Sequence, residues 1–179
     1  MLIKYILGNS SASIIRLLSF LILIMAFGAE KYGMIAYALA VSIIVTNFSL
    51  FGAYNNSIRR VLKQQDKLQT IYMAILPSLI ISILFIALTK FVNIFEDELY
   101  LILVFVYISE LFSTVYSSLF CVLIVTLKQP IKASVSRLFI ALGTLFVSIY
   151  SYYMGISVVQ WAVLNAVMSI FTLLLPLFF

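Results

Sequence analysis

The sequence predicts an all-α protein: a polytopic membrane bundle of six transmembrane helices forming a single unit over residues 1–179. Three observations predict it. Hydrophobic residues make up 65% of the chain and charged residues 9%, with a mean hydropathy of +1.22, whereas soluble domains are roughly 45–50% apolar and about 25% charged. The charges gather in short segments between uncharged stretches long enough for a crossing, which takes about 20 apolar residues. The 42 residues that follow Arg137 carry no charge at all. As helix they would rise about 63 Å, twice the roughly 30 Å of a hydrocarbon core.

Taken in order, the first helix is expected over about 9–28, because Arg16 is the only charge between Tyr5 and Ala29. The second runs over about 33–57, in the charge-free stretch that follows Glu30-Lys31. The third covers about 68–91 and contains Pro77, which removes one backbone hydrogen bond and permits a bend. The fourth, about 99–127, is interrupted only by Glu110. The fifth and sixth, about 134–153 and 157–179, divide the last apolar stretch at a turn near Met154-Gly155-Ile156-Ser157. A basic start, the apolar run Leu17 to Met25 and the small-x-small triplet Ala26-Phe27-Gly28 also trace the outline of a signal peptide. The long segment before that run disfavours cleavage.

Charge placement sets the orientation, since cytoplasmic segments retain Lys and Arg during insertion. One side holds Lys4, Arg16, Arg59, Arg60, Lys63, Lys67, Lys128, Lys132 and Arg137; the other holds Lys31 and Lys90. The expected location is a bacterial inner membrane, crossed several times, with the amino terminus in the cytoplasm and Glu96-Asp97-Glu98 outside. The net charge of +5 is thereby assigned to topology and membrane lipid, and nucleic acid is not an expected partner.

In lipid, apolar side chains do not drive helices together, so the contact faces carry small and hydrogen-bonding residues. Such faces recur at three- and four-residue spacing: Asn9, Ser13 and Arg16; Ser42, Thr46 and Ser49; Glu110, Ser113, Ser117 and Cys121. The fifth helix has Ser134, Arg137, Ala141, Thr144, Ser148 and Ser151, and the sixth has Trp161, Asn165, Ser169 and Thr172. These stripes either pack helices or line a wet cavity. Arg16 and Glu110 bear most on the choice, because a charge near the bilayer centre costs about 2.5–3.5 kcal/mol on insertion scales and faces a partner or water. Arg16 has the option of snorkelling to the cytoplasmic headgroups along its stem. Glu110, roughly 18 Å in from the outer end of its helix, has no such route and needs a partner, structural or ion-coupling. Arg16, Glu110, Asn47, Arg137 and Asn165 are the candidate substrate or ion pathway.

Chemistry of other kinds lacks its residues. There is no histidine and one cysteine, Cys121. Of the acidic residues, Glu30, Asp66, Glu96, Asp97 and Glu98 fall in loops at no metal-site spacing. No glycine-rich phosphate loop occurs. Neither an enzyme, a metal site nor a cofactor is expected.

The first hairpin carries a resemblance. Phe27-Gly28-Ala29-Glu30-Lys31-Tyr32-Gly33, followed by Met34-Ile35-Ala36-Tyr37-Ala38-Leu39-Ala40, is similar to the Leu-Gly-Pro-Glu-x-Tyr-Gly turn and small-residue second helix of polysaccharide biosynthesis flippases. These are the Wzx-type exporters of the multidrug/oligosaccharidyl-lipid/polysaccharide transporter superfamily; Ala29 stands where their turn has proline. Phe51-Gly52-Ala53-Tyr54 with Arg59-Arg60, and Lys128-Gln129-Pro130 leading to Ser134 and Arg137, resemble the family's later links. The resemblance implies one lobe of a two-lobe fold that works by alternating access. It implies export of undecaprenyl-diphosphate-linked oligosaccharide units for O-antigen, capsule or exopolysaccharide synthesis. On that analogy Arg16 would hold the anionic headgroup and Glu110 would take part in ion coupling. The chain matches the amino-terminal lobe alone and ends at Leu175-Pro176-Leu177-Phe178-Phe179. A truncated frame, or a half that needs a second lobe or a copy of itself, is therefore expected. Two other readings remain: a substrate-capturing subunit of an energy-coupling-factor importer, disfavoured by the bulky run Ile14 to Ala26, and an accessory membrane subunit without transport.

Overall fold

A computed structural model describes residues 2–50, 67–91, 96–116 and 130–174. Its elements are all helical: α1 (Leu2–Leu50), α2 (Lys67–Phe91), α3 (Asp97–Glu110), a π-helical turn continuing it (Leu111–Tyr116), α4 (Pro130–Met154) and α5 (Val158–Leu174). The chain is thus all-α, and the described residues contain no strand. The expected helix ends at 57, 127 and 179 lie outside the described residues, as do Arg59, Arg60, Ser117, Cys121 and Pro176. Among the described residues two stretches, Ser10–Ser49 and Arg137–Met154, are long and apolar enough to cross a membrane. Ile75–Phe91 and Val158–Phe171 are apolar but shorter.

The first two expected helices form one element broken at a single residue. Gly28 adopts φ 78° and ψ 168° while its neighbours stay helical, a backbone region essentially confined to glycine. Left straight, α1 would hold Arg16 and Leu39 about 34 Å apart, yet both line the same cavity. The two arms therefore fold back on one another at Gly28. The link expected between helices 9–28 and 33–57 is compressed to this one position, and Glu30 to Gly33 already belong to the second arm.

Local chemistry accounts for the other boundaries. α4 stops at Gly155, whose φ of 60° suits a left-handed cap, with its N–H donating to the Ser151 carbonyl at 3.0 Å. α5 starts two residues later in a capping box: the Ser157 N–H donates to Gln160 Oε1 at 2.9 Å, and the Gln160 N–H to Ser157 Oγ at 3.3 Å. At the start of α3, Asp97 and Glu98 occupy the first turn, where negative charge meets the positive end of the helix dipole. α2 runs as one helix through Pro77.

α1 packs chiefly on α4 and then on α3; α5 packs on α3 and α4, and α2 lies at the margin against α1 and α3. The main core joins Leu23, Ile35 and Ala38 of α1 to Ile102, Leu103 and Val106 of α3, Val147 of α4, and Val158, Trp161 and Ala162 of α5. A smaller cluster surrounds Tyr107, whose ring meets Phe85 at 5.0 Å between centroids and whose hydroxyl lies 2.7 Å from Ser82 Oγ.

The interior also holds Ser19, Ser42, Thr46, Ser49, Ser78, Ser82, Ser109, Ser113, Ser148, Ser151, Asn165 and Ser169. Large apolar side chains such as Ile14, Leu17, Met25, Phe48, Ile83, Phe91, Phe146 and Phe171 stand exposed. This distribution inverts the soluble pattern, in which serine lies mostly outside and aromatic and aliphatic residues mostly inside. Exposed apolar surface on that scale marks a contact with lipid or with another protein.

Candidate functional site

One cavity collects much of the interior polar chemistry. It lies between α1, α3 with its π turn, α4 and α5 and is partly open to the outside, with about 490 Å³ of empty space when the open part is counted. Arg16, Ser19, Phe20, Leu23 and Leu39 line it from the two arms of α1, and Ser109, Glu110 and Ser113 from α3 and the π turn. Ile140, Thr144 and Ser148 of α4 and Trp161 and Asn165 of α5 complete the wall.

Each helix delivers its residues through its own repeat. Thr144 and Ser148 sit four apart on α4, and Trp161 and Asn165 four apart on α5, so each pair shares one face. Ser109 and Ser113 also stand four apart, but across the place where α3 widens into π geometry directly after Glu110. Such single-turn π segments are rare in helices and are frequent at functional sites. Gly28 brings Arg16 and Leu39 to the same space.

Many wall hydroxyls have already placed their protons. Ser19 Oγ donates to the Ile15 carbonyl at 2.9 Å, Thr144 Oγ1 to Ala141 at 2.8 Å and Ser148 Oγ to Thr144 at 2.8 Å. What these groups offer the cavity is lone pairs, so they receive protons or cations. Donors at the wall include the Arg16 guanidinium and the Trp161 indole N–H.

α3 and α5 are tied behind this wall by a closed ring of hydrogen bonds. Asn165 Nδ2 donates to Ser109 Oγ at 2.9 Å. Ser169 Oγ donates to the Asn165 carbonyl at 2.9 Å. The remaining link, 2.8 Å between Ser109 Oγ and Ser169 Oγ, then has Ser109 as donor, since the single Ser169 proton is already placed.

Of the candidate pathway residues, Arg16, Glu110 and Asn165 meet at this cavity. No hydrogen bond or ion pair engages the half-buried Arg16 among the described residues, so it and Glu110 face one space without bridging it. Arg137 is half-buried one turn before Ile140, and it is not part of the lining. Asn47 is exposed and lies away from the cavity. The stripe of Ser42, Thr46 and Ser49 is buried but spends its hydroxyls on its own helix, at 2.6–2.8 Å to the carbonyls of Ala38, Ser42 and Thr46. It packs and does not line. Trp161 belongs to the stripe expected on the last helix, whereas Ser19, Ser109, Phe20, Leu23 and Ile140 were not singled out as site residues by the sequence; Ser109 adjoins Glu110, and Ser19 lies one turn beyond Arg16, which is the signal that could have found them. Among the described residues, no group of three His, Cys, Asp or Glu could hold a metal ion.

Comparison with protein-family models, with curated proteins and with solved structures yields no match for this chain. The function is accordingly read from the cavity.

Proposed function

We propose that the chain is one lobe of a two-lobe membrane exporter that moves an anionic, lipid-linked sugar across a bacterial inner membrane. It crosses that membrane six times with its amino terminus in the cytoplasm. The observation that carries this reading is Arg16, a guanidinium without an anionic partner among the described residues, at the wall of a polar cavity in a bundle with an apolar exterior. A cation so placed is costly in lipid and gains most from a bound anion such as a diphosphate, which guanidinium holds through paired N–H donors. The resemblance of Phe27 to Gly33 to the first turn of polysaccharide flippases supports the same substrate class, an undecaprenyl-diphosphate oligosaccharide. Glu110, in the same wall, is the group that would exchange a proton or cation against that anion.

The cavity is partly open to the outside, which is where an anionic headgroup would reach Arg16. The longer glycan is left to a passage completed by a second lobe. The test is translocation in vesicles. The full chain is reconstituted with a fluorescent undecaprenyl-diphosphate sugar, and exposure of the label on the opposite leaflet is timed by an impermeant quencher. Wild type should exceed protein-free vesicles at least tenfold, and the rate should rise more steeply than linearly with protein density. Arg16→Ala should fall to background, while Leu17→Ala on the exposed side of the same helix should not. Equal rates for Arg16→Ala and wild type would remove the cavity from the path. No protein-dependent rate at any density would leave a packed membrane scaffold.

A further inference from the structure

Among the described residues, two buried side-chain polar atoms lack a hydrogen-bond partner: Trp161 Nε1 and Asn165 Oδ1. They are not scattered. Both belong to α5, one turn apart on a single face, and both residues line the cavity. Trp161 is 4% and Asn165 8% exposed, so bulk water does not answer for them. Buried polar groups in folded proteins are almost all paired, and an orphan marks a missing partner.

The two atoms define that partner. Nε1–H is a donor and Oδ1 an acceptor, so what completes them both accepts and donates. Turning the Asn165 amide over would leave its NH₂ unpartnered instead, and a hydroxyl, which is donor and acceptor at once, answers either orientation. The indole adds a broad apolar face, held on one side by an edge contact with Phe27 at 6.5 Å between centroids. Ser109, which accepts from Asn165 at 2.9 Å, fixes the amide. An apolar plate beside directed hydrogen-bonding groups matches a sugar ring, with its C–H faces and hydroxyl edge. The wall residues Thr144 and Ser148, their protons already spent, present further lone pairs to ring hydroxyls.

We infer that Trp161 and Asn165 form a neutral subsite of this cavity that takes the hydroxyls of a single sugar ring. The subsite deepens the exporter reading and rests on it for the choice of a sugar. It is separate in chemistry from Arg16, because it binds without charge. Buried water is the other occupant with this hydrogen-bonding pattern.

Trp161 is the only tryptophan in the chain, so intrinsic fluorescence reports this one site. The full chain, in nanodiscs free of glycoside detergent, is titrated with methyl glucoside, methyl N-acetylglucosaminide and tetrahydropyran, the last being a ring of the same size without hydroxyls. The expected result is a saturable change in Trp161 emission with at least one glycoside and none with tetrahydropyran. Asn165→Leu should weaken that response tenfold or more. Wild type serves as its own control for folding, because the contrast between glycoside and tetrahydropyran needs no variant. An emission unmoved by either glycoside would assign the two atoms to water and overturn the subsite. So would an equal response to tetrahydropyran. Failure here alongside Arg16-dependent translocation would sink the subsite alone, whereas a saturable glycoside response without translocation would sink the exporter reading alone.

Discussion

At the scale of single residues, the polar side chains inside the bundle fall into two groups with different energetic weight. Ser42, Thr46 and Ser151 return their protons to carbonyls on their own helices, which hides a hydroxyl without joining helices. Ser109 instead sits in the middle of a ring connecting α3 to α5. Ser109→Ala should lower stability by about 1 kcal/mol, between the average of about 0.6 and the maximum of about 1.7 measured for interhelical hydrogen bonds in a membrane protein. Ser151→Ala should change it by less than about half that, given that its hydroxyl links no second helix. Unfolding in mixed micelles, followed by loss of helix signal, compares the two; equal losses would mean that the ring contributes nothing beyond ordinary packing. Periodicity alone could place both serines on inward faces. It could not distinguish them, because the partner of Ser109 stands 56 to 60 residues away.

At the scale of elements, helicity was legible throughout, and the interruptions were legible only where a residue type enforces them. Gly155 and the Ser157-x-x-Gln160 pair announce a stop and a start in the sequence itself. Gly28 was visible as part of a turn motif, yet its sharpness was not, because Glu30-Lys31 reads as a loop and the structure keeps it helical. The π turn after Glu110 was not legible in the sequence: Leu111 to Tyr116 continues an uncharged stretch with no residue that marks a change of helix geometry. Gly28 gives the sharper test. A Cβ there would meet nothing within 4 Å, and so would one at Gly33, so space does not separate the two sites. Backbone conformation does: Gly28 has a φ of +78° and Gly33 carries no positive φ. Gly28→Ala should destabilise by about 1–3 kcal/mol, the cost of holding a side chain in that region. Gly33→Ala should be neutral or stabilising by up to about 1 kcal/mol, as alanine is the better helix former. Matched melting curves in one detergent decide it, and a Gly28→Ala variant as stable as wild type would show that the fold tolerates a straighter α1.

For the whole molecule, the question is which solvent surrounds it and which way it faces. The apolar exterior and the interior serines were foreshadowed by composition, since 9% charged residues cannot clothe a bundle of this size in water. Sequence grouped Arg16, Glu110 and Asn165 with Asn47 and Arg137 as one pathway, but which of the five share a cavity was not legible, because three separate helices bring them together and spacing within one helix says nothing of its neighbours. The proposed orientation rests on charge. Six crossings would hold nine of the eleven Lys and Arg on one side, in line with the strongest known bias on insertion. With Cys121→Ser as background, Glu96→Cys should react with a membrane-impermeant maleimide in intact spheroplasts, and Lys63→Cys should react only after permeabilisation. The same chain must present both patterns, since a single labelled site does not distinguish an exposed loop from a leaky preparation. The reverse pattern would invert the topology and place the mouth of any passage that starts from Arg16 on the opposite face. Labelling at both sites without permeabilisation would mean that the intervening helices do not span, and the apolar exterior would then have to be covered by other protein.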